Sequence, residues 1–152
     1  MSLLTAARGV VNASSPLPWL VVSGQPSEAQ LTALHAAGAR TVIDLRDPME
    51  PRGFDEAATA SALGMQYVNA PIASGTLSDE LMASVLAALR AASDTPTVMH
   101  CASANRTGGP LLAYLMLDQK MDEASAIDAA MRSGLRSAEY LEWATDFVAR
   151  NR

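Results

Sequence analysis

Thr97-Val98-Met99-His100-Cys101-Ala102-Ser103-Ala104-Asn105-Arg106-Thr107-Gly108-Gly109 is the stretch on which the reading of this chain turns. Its first four residues form a short, almost uniformly apolar run, the pattern of a central strand buried on both faces. A small polar loop follows, and from Thr107 to Leu117 the apolar content returns in a helical run. A strand–loop–helix turn aims several backbone N–H groups and a helix N-terminus into one small volume. Such a volume attracts anions and favours the thiolate form of Cys101. Arg106 brings a planar fork that matches two oxygens of a tetrahedral oxyanion. Thr107 can offer a hydroxyl to the sulfur or to a leaving oxygen. Cys101, Arg106 and Thr107 are therefore the candidate catalytic residues. Ala102, Ser103, Ala104 and Asn105 are expected to line the substrate with their backbone, together with His100 and with Arg46 at the end of another strand. For His100, ordering the loop through backbone hydrogen bonds is an equally good role.

Outward from this turn, short β-type runs alternate with helical ones. Trp19–Val22, Thr41–Leu45 and Gln66–Asn69 read as strands. Helices are predicted from Glu28 to about Ala37, from about Phe54 to Leu63, over Asp79 to Ala92, Asp122 to Ser133 and Ser137 to Ala149. Ser27 and Ser78 suit the N-caps, and Gly38 and Gly64 the stops. The β–α alternation predicts an α/β fold: one domain over residues 1–152, with a central, mostly parallel sheet of four to five strands and helices on both faces. In such sheets ligands bind beyond the carboxyl ends of the strands, which is where the Cys101 loop lies.

Composition narrows the function further. The chain has 152 residues, of which 49% are hydrophobic and 18% charged, so it can bury one sizeable core. A formal net charge of −5 argues against non-specific binding to nucleic acid or an anionic membrane. Any small anionic or phosphorylated substrate must be held locally, against the overall field. A single cysteine excludes an intrachain disulfide and a multi-cysteine zinc site. No nucleotide-binding loop or metal-ligand cluster stands out, so no cofactor and no metal are expected. Nor is there a membrane-length apolar run or a convincing signal-peptide core, and a cytoplasmic location is expected, export remaining open if a leader has been trimmed. Oligomeric state is not legible.

The His-Cys, short loop, Arg-Thr arrangement resembles the cysteine-dependent tyrosine and dual-specificity phosphatase superfamily, and Val42-Ile43-Asp44-Leu45-Arg46 resembles a strand of that fold. A closer resemblance is to the bacterial beta-lactamase-hydrolase-like, phosphatase-like domain family. It is carried by Ser23-Gly24-Gln25-Pro26-Ser27, by Val42 to Arg46 with Glu50 behind it, by Gly64 to Val68 running to Pro71, and by His100 to Arg106, over about residues 20 to 135. The resemblance implies hydrolysis of a phosphate monoester through a cysteinyl-phosphate intermediate. Two departures stand out. Four residues separate Cys101 from Arg106, where tyrosine phosphatases place five; four is also the rhodanese spacing, so persulfide-based sulfur transfer is the alternative activity. Ala104 occupies a position normally held by glycine, where a positive φ would cost alanine about 1 kcal/mol, so another path of the loop is open. The superfamily's general acid comes from a loop upstream of the cysteine, yet Ala70 to Leu77 holds no carboxylate. Asp79, Asp47 and Glu50 are the candidate acids, although Asp79 better suits the first turn of its helix and Glu50 pairing with Arg46 or Arg52. The missing acid and Ala104 leave an inactive anion-binding module as a third reading.

Overall fold

The computed structural model describes residues 2–152. Five strands, β1 (Ser14–Leu17), β2 (Leu20–Ser23), β3 (Thr41–Asp44), β4 (Gln66–Asn69) and β5 (Thr97–His100), form one sheet in the order β1-β2-β5-β3-β4. All neighbouring pairs are parallel except β1 with β2. β5 is thus central, as its apolar run requires, and Val98 sits level with Val21 on one side and Val42 on the other.

The pleat sends alternate residues to opposite faces. Leu20, Val22, Ile43 and Met99 join one core with α4 (Asp79–Ala92), α5 (Gly108–Leu117), α6 (Glu123–Arg132) and α7 (Ala138–Asn151). Val21, Val42 and Val98 face the smaller core under α1 (Leu3–Ala6), α2 (Glu28–Ala36) and α3 (Glu56–Ala62). α5 is buried from Gly108 through Met116, which explains why its sequence shows no polar stripe. Ser27 caps α2 in a reciprocal box with Gln30, and Ser78 caps α4 by accepting from the Leu81 amide.

The expected α/β architecture is therefore the observed one. Strand Ser14–Leu17 and the short α1 escape a sequence reading. β1 contains Pro16, a residue that removes a ladder donor and is tolerated here because the strand is at the sheet edge. Among the described residues, no helix is long and apolar enough to cross a membrane.

Candidate active site

The loop after β5 is tied down from behind. The Cys101 amide donates to the Ser23 carbonyl (3.2 Å), and the Gln25 amide donates to that of Ala102 (3.0 Å). This close approach needs a glycine between them: a Cβ on Gly24 would meet the Ala102 carbonyl oxygen at 2.4 Å and a Val11 methyl at 2.2 Å. Asn12 donates its side-chain amide to the Ser103 carbonyl at 2.9 Å. Asn105 Oδ1 accepts from the Arg136 and Ser137 amides at 2.7 and 3.1 Å, which seats the start of α7 on the loop.

Ala104 adopts φ +76°, so the loop keeps the left-handed turn although alanine replaces glycine. The alternative path left open by the sequence is not taken. The Ala104 amide donates to Cys101 Sγ at 3.1 Å, and its carbonyl accepts from the Thr107 hydroxyl at 2.7 Å. The buried Thr107 hydroxyl is thus engaged in holding the Ala104 turn rather than bonded to the sulfur. Among the described residues, the amides of Ala102, Ser103, Asn105, Arg106 and Thr107 donate to no protein acceptor. Cys101 itself is 1% exposed.

Arg106 is aimed by a residue 56 positions earlier. Its Nη1 and Nη2 donate to Glu50 Oε2 and Oε1 at 2.8 and 2.9 Å, and Nη1 also donates to the Ile72 carbonyl at 3.3 Å. A guanidinium has five N–H donors. Three are engaged here, and the two that remain, on Nε and Nη2, lie side by side as a fork for two oxygens. Glu50 also accepts from Arg46 Nε (3.1 Å) and from the Asp47 amide (2.8 Å). Its bonds to Arg106 above all, aided by the Asp47 amide and Arg46 against the opposing effect of burial, lower its pKa to about 2. A carboxylate held that firmly ionised has no proton to give, so Glu50 is not the general acid.

The other two candidate acids carry bonds of their own. Asp79 pairs with Arg150 (2.6 Å), in the last turn of α7, whereas the loop touches the first. Asp47 Oδ1 accepts from the Met49 amide in an exposed turn. Arg46, expected among the substrate ligands, donates instead to Glu50 and to Gln25 Oε1 (3.0 Å), and so braces the clamp on Arg106.

His100, too, is corrected from lining the substrate to ordering the loop. It is fully buried, with Nδ1 3.3 Å from the Cys101 carbonyl oxygen and Nε2 hydrogen-bonded to Glu56 Oε2 at 2.5 Å. Glu56 Oε1 accepts from Gln25 Nε2 at 2.6 Å. Beside them Asp44 accepts from Arg52 Nε (2.8 Å), from the Tyr67 hydroxyl (2.6 Å) and from the Arg46 amide (3.0 Å). Burial and the bond to Asp44 keep the Tyr67 proton on well above the usual phenol range. Asp44, Glu56 and His100 place three ligand-type atoms within 4.8 Å of one another. Every carboxylate oxygen of this buried cluster is already engaged, Asp44 by Arg52, Tyr67 and the Arg46 amide and Glu56 by Gln25 and His100, so it works as a hydrogen-bonded strut and does not fit a metal ion.

Gln25, Asp44, Arg52, Glu56 and Tyr67 were invisible as site residues in the sequence. They lie on four separate segments; Gln25, Asp44 and Tyr67 fall within stretches that carried the family resemblance, while Arg52 and Glu56 had no such signal.

Comparisons with known proteins bear on the fold and the family. Residues 16–110 match the family model described as beta-lactamase hydrolase-like protein, phosphatase-like domain. The search of curated proteins finds no match. Among solved structures, the DUF442 protein of Shewanella putrefaciens CN-32 is 23% identical, with 97% of each chain covered and a TM-score of 0.80. Tk-PTP is 19% identical over 91% of this chain and 97% of its own, at a TM-score of 0.79. TpbA of P. aeruginosa, solved in complex with pTyr, is 23% identical over 91% of this chain and 83% of its own, at 0.70. At such identities the likeness is one of fold. The family match, which spans more than half of the sequence, goes further: this chain belongs to the beta-lactamase hydrolase-like protein, phosphatase-like domain family.

Proposed function

We propose that the chain, acting as one domain, hydrolyses a phosphate monoester through a cysteinyl-phosphate intermediate, with Cys101 as nucleophile. The supporting observation is the pairing, in one short loop, of a cysteine followed by unengaged backbone amides with a free two-donor fork on Arg106. The thiolate attacks phosphorus, the S–P bond forms and the P–O bond to the alcohol breaks. Water then attacks the phosphorus, the S–P bond breaks, and inorganic phosphate leaves. The amides and the Arg106 fork surround the equatorial oxygens, where negative charge concentrates in the transition state. Residues 101 to 106 do this chemistry without a cofactor, on a small anionic or phosphorylated substrate.

The rhodanese-type reading has the four-residue loop in its favour, so one protein preparation is to be assayed with 4-nitrophenyl phosphate and with thiosulfate plus cyanide. Phosphate release that disappears in Cys101→Ser, with no thiocyanate formed, is expected, because a serine hydroxyl without an adjacent base is a far weaker nucleophile. Thiocyanate formation without phosphate release would refute the proposal and favour the persulfide. Neither product, with inorganic phosphate still bound, would make the chain a binding module.

A further inference from the structure

The segment from Ala70 to Leu77, next to the loop, holds no carboxylate; Glu50 is held ionised against Arg106, Asp47 accepts from the Met49 amide and Asp79 pairs with Arg150. α7 fills this gap. Its start is held by Asn105, Glu139 accepts from the Ser74 hydroxyl at 2.9 Å, and Arg106 donates to the Ile72 carbonyl, so the first turn of α7 spans from the loop to the 72–74 segment. Tyr140 lies in that turn. It packs in the same core as Cys101, is only 9% exposed, and its hydroxyl has no hydrogen-bond partner among the described residues. Its ring is buried while the hydroxyl itself stays open to solvent, and so to a substrate, with no protein group competing for it.

We infer that Tyr140 is the proton donor to the leaving oxygen, delivered from α7 in place of the missing loop carboxylate. This assignment rests on the phosphatase reading above. Burial raises the pKa of Tyr140 from its usual 10; Arg106 opposes the shift, and Glu139, Cys101 and Glu50 add to it. The phenol therefore keeps its proton throughout the neutral range. As the P–O bond breaks, the electron pair stays on the leaving oxygen, which takes the Tyr140 proton and departs as an alcohol. The phenolate, faced by Arg106, accepts a proton from the water that cleaves the S–P bond, and the phenol and thiolate are restored.

A phenol this weakly acidic transfers its proton downhill only to a more basic oxygen. It suits alkoxides and does little for nitrophenolate, so the substrate class it selects is the aliphatic phosphate monoesters. The test compares ethyl phosphate with 4-nitrophenyl phosphate in wild type, Tyr140→Phe, Glu139→Gln and Cys101→Ser. Tyr140→Phe should lower kcat/KM for ethyl phosphate by about 100-fold or more, the contribution expected of a general acid, and for the nitrophenyl ester by no more than about 3-fold. Its thermal midpoint should not change, because the lost hydroxyl had no protein partner. Glu139→Gln should keep the wild-type ratio of the two esters. Equal losses on both esters in Tyr140→Phe, a ratio that moves with Glu139→Gln instead, or a wild type that turns over only the nitrophenyl ester would each overturn the assignment. Turnover surviving in Cys101→Ser would overturn the phosphatase reading itself, so the two failures are distinguishable.

Discussion

Replacing Glu50 by Gln removes the charge that holds Arg106 and Arg46 while keeping the side chain's shape. The carboxyl's pKa is lowered from 4.5 to about 2, with the Arg106 bonds as the largest cause. At about 1.4 kcal/mol per pH unit, that gap sets a ceiling of roughly 3 kcal/mol of stability at pH 7. The Glu50 side chain is 29% exposed, so solvent screening reduces the expectation to about 1–2 kcal/mol. For a domain of this size, that corresponds to a fall of roughly 2–8 °C in the thermal midpoint. The sign with pH is fixed by linkage. A depressed carboxyl contributes stability that is fully present above its unfolded pKa and is lost as pH falls from 4.5 through about 2. The gap between wild type and Glu50→Gln should therefore persist at pH 6 and shrink to about half near pH 3. Urea unfolding at pH 7, 5 and 3 measures it. A gap of the same size at pH 7 and pH 3 would show that the clamp does not work through the charge of Glu50. No gap at pH 7 would show that the paired arginines are equally well placed without it.

Arg106→Lys keeps the charge and loses the two-donor fork, so kcat/KM for a phosphate monoester should fall by about 100-fold or more, and retention of near-full activity would refute the fork's role. Gly24→Ala should destabilise the fold by about 2 kcal/mol or displace the loop, because the new methyl meets a backbone carbonyl and not merely a flexible side chain; an unchanged midpoint with unchanged turnover would contradict the close approach. Ala104→Gly relieves a left-handed alanine, a strain of about 1–2 kcal/mol, but loses a fully buried methyl and stiffens the unfolded chain less. Those effects nearly cancel, so stability should stay within about 1 kcal/mol of wild type by denaturant unfolding, and a loss beyond about 2 kcal/mol would show that packing of the methyl against Gly134 dominates.

What the sequence determined by itself is local. β4, α4 and β5 fall where they were read, because an alternating or uniformly apolar run, a serine cap and a glycine stop act over a few neighbouring residues. The same holds for the Cys101 loop, whose members are consecutive in the chain, and the β–α alternation then leaves few topologies for the sheet. The roles within the site were decided by tertiary structure. Glu50 meets Arg106 across 56 positions, Glu56 meets His100 across 44, and the start of α7 meets the loop where Asn105 accepts from the Ser137 amide, 32 positions on. The bond of the Thr107 hydroxyl to the Ala104 carbonyl was not legible, since a hydroxyl's acceptor depends on which carbonyl the Ala104 turn presents. A side chain's type tells what it can bond. Which group it does bond is settled by the packing of segments distant in sequence, where charge and hydrogen-bond demands have to be met away from water.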